Sequence, residues 1–228
     1  MRTISRKTVL SVMFTVCAAA VALVNTGLAA DQTSAPNLSM KVSSPTIASG
    51  SMTMTNLMDA YNRESNVRAD YLAWAQKADQ QGYHKVAELF RGAAKSEEIR
   101  IAHYAKNITK LGAMPAITGE TPVVKDTSEN LSAAIKEINY ETGSLYPKYL
   151  VQSQTDNIPA GTMSFNSAIK IRGNQKTIFE KAVMNLESWK KTSGGFYVCT
   201  VCGNLTENLN FAKCEVCGAP LSEIMQVK

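Results

Sequence analysis

The chain has 228 residues, of which 45% are hydrophobic and 19% charged, and its formal net charge is +5. This composition excludes a wholly disordered chain and allows one medium-sized core with a small additional domain. Three cations and no anions lie within residues 1–30, so the rest of the chain carries 24 − 3 − 19 = +2, too little to indicate nucleic-acid binding.

The first 30 residues have the order of a secretory signal peptide. Three basic residues precede an apolar run, 9–24, which the small residues at 27–30 follow. About 16 apolar residues are fewer than the roughly 20 of a membrane-spanning helix, so we expect cleavage, with an uncleaved anchor as the alternative. The expected product is soluble and exported to the periplasm or cell envelope. Lys7 replaces the second Arg of a twin-arginine signal, which leaves both the general secretory and the twin-arginine routes open.

The next segment, 31–50, is rich in Ser, Thr, Ala and Pro, which predicts a flexible linker. Residues 51–192 have a helical apolar period that predicts four long helices, at 53–81, 84–111, 128–154 and 161–191. The connection between the second and third helices can extend on the order of 50 Å, enough to cross a bundle. We therefore predict a mainly α protein with a ferritin-like four-helix bundle.

Each predicted helix has an inward seam that is apolar at both ends and polar near its middle. The polar seam positions are Glu64, Arg68, Glu97, Arg100, Glu141, Arg172 and Gln175. In aligned helices these side chains meet inside the bundle, where buried charges must be paired or bound to metal. Three carboxylates and three guanidinium groups can neutralise one another without an ion.

Histidine, the usual nitrogen ligand of bundle metal sites, is scarce in this chain. His84 lies at a helix start, and His103 lies six residues after Glu97, about 240° round the helix. Neither forms a Glu-x-x-His pair, so we interpret both as surface or capping residues.

The C-terminal segment, 195–228, contains two Cys-x-x-Cys-Gly units separated by eleven residues. The cysteines are Cys199, Cys202, Cys214 and Cys217; the fifth, Cys17, lies in the signal. Two such turns can direct four thiolates at one tetrahedral ion, so the spacing predicts a small metal-binding domain. Rubredoxins and zinc ribbons share this pattern. Tyr197 favours iron and Glu215 argues against it, zinc is the alternative, and disulfides or empty thiols are the third possibility.

Motifs along nearly all of the chain after the signal resemble the rubrerythrin family. In the first helix pair these are Glu64-Ser65, Arg68, Tyr71, Ala75, Gly82-Tyr83, Ala87 and Phe90. In the last two helices they are Asn130-Leu131, Asn139-Tyr140-Glu141, Tyr146-Pro147 and Asn185-Leu186-Glu187. The resemblance implies a ferritin-like bundle and a rubredoxin-like domain, a di-iron oxidoreductase that reduces peroxide with electrons from the iron–cysteine site, and a homodimer.

The di-iron ligands implied by this resemblance are only partly present. Glu64, Glu97 and Glu141 fall on family ligand positions, whereas four other positions carry replacements: Arg100 for His, Ile138 for Glu, and Arg172 and Gln175 for a Glu-x-x-His pair. A cation repels metal and pairs with leftover carboxylates, so we interpret the site as a salt-bridged remnant without two irons. The alternative is a shifted register that uses Glu98, Glu137 or Glu180.

Three functions are compatible with these residues. The first is one-electron transfer through one rubredoxin-type iron, with an unknown redox partner. The second is a rubrerythrin-type peroxide reductase with a rebuilt di-iron site. The third is a non-catalytic binding protein with structural zinc.

Overall fold

The structure is a computed structural model that describes residues 50–190 and 192–227. The predicted signal peptide with Cys17, nearly all of the predicted linker, and the predicted end of the fourth helix at Lys191 lie outside the described residues.

Four helical rods form the bundle, as the sequence predicts. They are α1 (Met52–Gln80), α2 (His84–Lys110), the continuous run of α3 (Thr127–Tyr140), π1 (Glu141–Leu145) and α4 (Tyr146–Thr155), and α5 (Pro159–Met184), followed by the short α6 (Leu186–Trp189). Among the described residues, no helix combines the length and apolarity that crossing a membrane requires. The mainly helical fold class is confirmed.

Local sequence explains where the helices begin and end. Ser51 caps α1 by accepting a hydrogen bond from the Met54 N–H at 3.2 Å, and Asp126 caps α3 by accepting one from the Glu129 N–H at 2.8 Å. Gly82 follows α1 with φ 77°, a left-handed conformation that glycine adopts without strain. The resulting tight turn makes α1 and α2 an antiparallel pair.

The long connection between α2 and α3 crosses the bundle alongside α1. Its backbone meets side chains of α1 in sequence order, at Asn62, Asn66 and Trp74, and at its end the N–H of Thr127, the first residue of α3, donates to Gln81 directly after α1. These hydrogen bonds are 2.7 to 3.1 Å long. The connection is therefore the crossover of a ferritin-like bundle, and it makes α3 run parallel to α2.

The bundle core has two apolar layers with a polar layer between them. One apolar layer contains a cluster of four rings, in which five pairs have centroids 5.6 to 5.9 Å apart: Tyr71, Trp74, Phe90 and Phe179. The other contains Tyr104, Tyr146, Tyr149 and Phe165. Buried charged side chains lie between the layers, as the seams predict.

A small antiparallel sheet follows the bundle, with strand order β2-β1-β3. The strands are β1 (Phe196–Cys199), β2 (Leu205–Thr206) and β3 (Ile224–Val227). Phe196, Val198 and Leu205 are buried in the same core as the adjacent bundle layer. An added Cβ at Gly92 of α2 would lie 2.9 Å from Leu205 Cδ1, so a glycine on α2 is what lets the sheet approach this closely.

The structure corrects three details of the predicted helices. Arg68 is not in the polar layer; its side chain is 39% exposed and pairs with Glu98, because Val67 takes the inward position after Glu64. The predicted third helix contains the π-helical turn π1. The fourth helix ends at Met184, seven residues before its predicted end at Lys191, because the chain leaves helical geometry at Asn185, with φ −117° and ψ 18°.

Candidate metal centre and buried ion-pair cluster

Two nearly identical turns position the four cysteines. In the first, the Gly203 N–H donates to the Cys199 carbonyl at 2.8 Å; in the second, the Gly218 N–H donates to the Cys214 carbonyl at 2.8 Å. Both glycines have positive φ, 86° and 74°, which explains why glycine follows each Cys-x-x-Cys unit. Each turn presents two thiols to the same point.

The four Sγ atoms lie within 4.8 Å of one another. The Cys199–Cys217 and Cys202–Cys214 sulfur pairs are 3.7 and 3.6 Å apart. A disulfide needs about 2.05 Å, whereas a tetrahedral ion with metal–sulfur bonds of about 2.3 Å sets its sulfurs about 3.8 Å apart. The arrangement therefore fits one four-coordinate metal ion and does not correspond to two disulfides.

Backbone donors surround the sulfur atoms. Burial raises the pKa of Cys199 to about 11, although the N–H groups of Cys202 and Val201 point at its sulfur. At Cys214, burial alone would raise the thiol pKa, but N–H donors of Cys217 and Val216 together with the side chains of Cys202 and Cys217 outweigh it and lower that pKa. Because metal binding deprotonates cysteine, these donors would stabilise the thiolate charge of a loaded site.

The cysteine turns pack directly on the bundle. Gly203 contacts α2 so closely that an added Cβ would lie 2.8 Å from the Ser96 carbonyl oxygen and 3.5 Å from Arg100 Cγ. Cys199, Cys202 and Cys214 share a buried apolar cluster with Ile171 of α5. Arg100 is therefore in contact with the metal turn on one side and with the polar layer on the other.

The polar layer is a closed ion-pair cluster centred on Arg172. Its Nη1 donates to Glu97 at 2.9 Å, its Nη2 donates to Glu141 at 3.1 Å and to Glu64 at 3.3 Å, and its Nε lies 2.7 Å from a Glu141 oxygen. All four side chains are fully buried. One guanidinium group thus occupies the space between all three carboxylates.

Arg100 completes the cluster from α2. It donates to Glu97 at 3.1 Å and to Glu64, which also accepts a hydrogen bond from the Tyr146 hydroxyl. Gln175 donates to Glu97 at 3.2 Å and to the Ser96 hydroxyl at 2.8 Å. Three of the positions that carry metal ligands in the resemblance, now Arg100, Arg172 and Gln175, are therefore filled by groups that hydrogen-bond the carboxylates.

The cluster contains three carboxyl groups and two guanidinium groups, so one carboxyl group has no cation to balance its charge. Burial alone would raise the pKa of Glu64, but Arg100 and Arg172 outweigh it and lower that pKa to about 2. Burial raises the pKa of Glu141 to about 7 and that of Glu97 well above its ordinary value, in spite of Arg172. A neutral cluster needs one proton, and the raised pKa values of Glu97 and Glu141 favour these two carboxyl groups over Glu64 as its site.

Sequence reasoning placed most members of the cluster but missed Tyr146. A regular helix would direct Leu145 inward after Glu141; the π turn inserts one residue, shown by the bond from the Tyr146 N–H to the Glu141 carbonyl, and brings Tyr146 to Glu64. Ile138 is buried in the apolar layer beside the cluster. The alternative ligands are elsewhere: Glu98 pairs with Arg68 and Lys95, Glu137 with Arg63, and Glu180 with Lys176.

Both histidines lie away from the carboxylates. His84 is exposed and contacts Asp79 through Nδ1 at 2.9 Å, near the start of α2. His103 is exposed on α2, where burial of part of its ring and the nearby Lys106 and Arg100 lower its pKa. The sequence-based interpretation of both as surface or capping residues agrees with these positions.

Comparisons with known proteins agree with this architecture. The rubrerythrin family model matches residues 55–170. Rubrerythrin-2 of Clostridium acetobutylicum is 28% identical over 73% of this chain and 92% of that protein, and nigerythrin of Nitratidesulfovibrio vulgaris is 28% identical over 82% and 91%.

Solved structures show the same fold. A structure of nigerythrin in a mixed-valence state superposes with a TM-score of 0.71 at 24% identity, covering 76% of this chain and 86% of that one. A bacterioferritin of Mycobacterium tuberculosis superposes with a TM-score of 0.55 at 12% identity, over 60% of this chain and 86% of that one.

Proposed function

Because the chain belongs to the rubrerythrin family of redox proteins, we propose that it is an exported one-electron carrier whose single iron is held by Cys199, Cys202, Cys214 and Cys217. Its bundle serves as a scaffold and not as a di-iron peroxidase. The observation that carries this proposal is the contact of Arg172 with all three buried carboxylates.

The bundle centre is poorly suited to two metal ions. Two guanidinium groups already form ion pairs with Glu64, Glu97 and Glu141, and removing one partner of a buried ion pair costs about 3–5 kcal/mol. A pair of divalent ions would have to displace or neutralise both cations, and neither histidine is near enough to provide a nitrogen ligand. The residues present do not fit a di-iron centre.

The cysteine site fits iron, and its surroundings support electron exchange. An iron ion held by these four thiolates would supply one-electron chemistry between its ferric and ferrous states. Cys217 is exposed while the other three cysteines are buried, so one thiolate connects the site to the protein surface. Zinc would fit the same four sulfurs, and only the metal content distinguishes an electron carrier from a binding protein with structural zinc.

Export is part of the proposal because of the basic, apolar and small-residue order of the first 30 residues. The mass and N-terminal sequence of protein recovered from the envelope fraction test this directly. We expect a mature N-terminus near residue 31. A full-length chain in the membrane fraction would instead identify residues 9–24 as an anchor.

Metal content per chain tests the redox assignment. We expect one iron per chain and a red, rubredoxin-like visible spectrum after air oxidation of protein purified anaerobically from its native envelope. About three irons per chain with peroxide turnover would overturn the proposal in favour of a peroxide reductase. One zinc per chain and no colour would favour the binding protein.

A double variant tests whether the ion-pair cluster is a lost metal site. Arg172→Glu with Gln175→His replaces a cation and an amide with a carboxylate and an imidazole at Glu-x-x-His spacing. We expect this variant to bind additional iron, measured by elemental analysis beside a Cys202→Ser, Cys214→Ser background that lacks the cysteine site. A variant that folds but takes up no additional iron would count against descent from a di-iron centre.

A further inference from the structure

A ring of three side-chain hydrogen bonds joins the bundle to both cysteine turns. Asn174 of α5 donates through Nδ2 to Asn204 Oδ1 at 2.9 Å and to Glu215 Oε1 at 2.7 Å. Asn204 donates through its own Nδ2 to the same Glu215 oxygen at 3.4 Å. Asn204 directly follows the first Cys-x-x-Cys-Gly unit, and Glu215 lies inside the second. The ring therefore connects one helix to two turns.

Asn204 is also a backbone anchor of the first turn. Its carbonyl accepts a hydrogen bond from the Cys199 N–H at 2.9 Å. Burial raises the pKa of Cys202, and the Asn204 N–H, which points at the Cys202 sulfur, opposes that rise. The residue is only 3% exposed, so its side-chain amide depends on protein partners. The orientation of this one residue thus affects both cysteines of the turn.

Glu215 provides the acceptor that links the second turn to the first. Its side chain is exposed, yet one of its oxygens accepts from the half-buried Asn174 and the buried Asn204. Hydrogen bonds to a carboxylate are stronger than those between neutral groups. A charged acceptor at this place therefore holds the two amides in one arrangement.

From these contacts we infer that Asn174 and Glu215 are positioning residues of the metal centre. Together they hold Asn204 in place, so that its N–H stays directed at the Cys202 sulfur and the second turn stays aligned with the first. Neither residue would bind the ion itself. Hydrogen bonds to the sulfurs and the groups behind the ligands are factors that set metal affinity and reduction potential in such sites.

A simpler interpretation is that the ring only docks the small domain on the bundle. The chain contains a matched contact of that kind, because Lys181 of α5 pairs with Glu207, directly after β2, at 2.8 Å. This pair also joins α5 to the small domain, but through the end of a strand and not through a cysteine turn. The two interpretations differ in whether loss of the ring changes the metal site more than loss of the pair does.

The rate of metal release tests the positioning role without redox chemistry. In zinc-loaded protein, Asn174→Ala removes both hydrogen bonds from α5, and we expect zinc transfer to a chromogenic chelator to become about tenfold faster. The control, Lys181→Ala, removes the exposed contact from the same helix and should change the rate by less than about twofold. Equal rates in the two variants would show docking alone and would overturn the inference.

The reduction potential of the iron form tests the effect on electron transfer, and this part rests on the proposed function. An added electron makes the site more negative, so an N–H donor on a sulfur favours the reduced state. Asn174→Ala should lower the equilibrium constant for reduction about three- to tenfold, a fall in potential of up to about 59 mV for one electron. Lys181→Ala should change that constant by less than about twofold at about 0.15 M ionic strength, where exposed charges are screened.

Two substitutions at Glu215 separate its charge from its role as an acceptor. Glu215→Gln keeps an oxygen that can accept from both amides, so zinc release should remain close to that of the parent protein. Glu215→Ala removes the acceptor and should release zinc about tenfold faster. Equally fast release from both variants would show that the charge matters and not the hydrogen bonds, which would contradict the positioning role.

The outcomes distinguish this inference from the proposed function. If the native metal is zinc, the electron-carrier proposal fails, and the zinc-release rates still decide the positioning role. If the native metal is iron and the Asn174 and Glu215 variants change neither the release rate nor the potential, the positioning role fails and the electron carrier stands. Because Glu215 is exposed, Glu215→Ala provides the same test where Asn174→Ala does not fold.

Discussion

The protein has two buried polar centres that differ in how their charge is compensated. In the bundle, Arg100 and Arg172 neutralise Glu64, Glu97 and Glu141 with the help of one retained proton. In the C-terminal domain, four thiols converge within 4.8 Å with only backbone N–H groups and one another around them. The first centre balances its charge with its own side chains and one proton, whereas the second needs a cation to hold four thiolates together.

The comparison shows why the presence of family carboxylates does not by itself identify a metal site. Ligands indicate an ion when their charge has no other partner, and the described bundle provides such a partner for each of the three carboxylates.

Loss of the cysteine site should have the largest effect. In Cys202→Ser with Cys214→Ser, metal is no longer held, and binding to such sites contributes on the order of 10 kcal/mol to folding of the domain. We expect loss of bound metal and rapid proteolysis after residue 192, while helical circular dichroism is largely kept. Thr200→Ser, within the first Cys-x-x-Cys turn, is the matched control. A protease-resistant variant without metal would show that the sheet folds by packing on α2 alone.

Removal of the central cation should have the next largest effect. Arg172→Met leaves three buried carboxylates with one guanidinium group, and we expect a loss of about 3–5 kcal/mol in the free energy of unfolding at pH 7. Arg68→Met removes an arginine from a surface pair and should cost no more than about 1 kcal/mol. Denaturant unfolding measures both. Equal losses would mean that Arg172 does not hold the cluster together.

The retained proton predicts how stability depends on pH. The pKa of Glu141 is raised from 4.5 to about 7, so between these values the folded state binds more protons than the unfolded state. Stability contributed by this group is complete below about pH 4.5 and is lost as pH rises through about 7, at up to about 1.4 kcal/mol per pH unit. Glu141→Gln should flatten this slope in denaturant unfolding at a series of pH values. A steeper slope in the variant would contradict the assignment.

The contact between the two centres should have the smallest effect. Gly203→Ala combines a φ of 86° with a Cβ 2.8 Å from the Ser96 oxygen, and we expect a cost of about 2–3 kcal/mol. Gly218→Ala has a similar φ of 74° but open space around the new Cβ, so only the backbone strain of about 1 kcal/mol remains. The difference between the two values of Tm measures how firmly the cysteine turn docks on α2.

Much of this architecture was predictable because the patterns that encode it are local. The helical period, the caps at Ser51 and Asp126 and the repeated Cys-x-x-Cys-Gly unit each specify their own structure over a few residues. The sequence pattern predicted Arg68 at the inward position that Val67 occupies in the structure. This difference was not predictable, because steps of three and four residues are both allowed on a helix of 3.6 residues per turn.

The π turn was also beyond the sequence pattern. A regular helix through Glu141 directs Leu145 inward, and only packing against the other helices selects the extra residue that carries Tyr146 to Glu64. Asn174 shows the same limitation. The sequence marks it only as a polar residue of a helix, and its contacts with Asn204 and Glu215 become visible only when the cysteine turns lie beside α5.

The sequence by itself determined the fold class, the sequence positions of the four cysteines and the mixture of charges in the bundle seams, because each follows from spacing along one chain segment. Only the tertiary structure decided which carboxylate each arginine contacts, that Gly203 rests on α2, and that Asn174 joins α5 to both cysteine turns. Ion pairing and shape depend on distances between segments far apart in sequence, and those distances exist only after the helices and the sheet have packed.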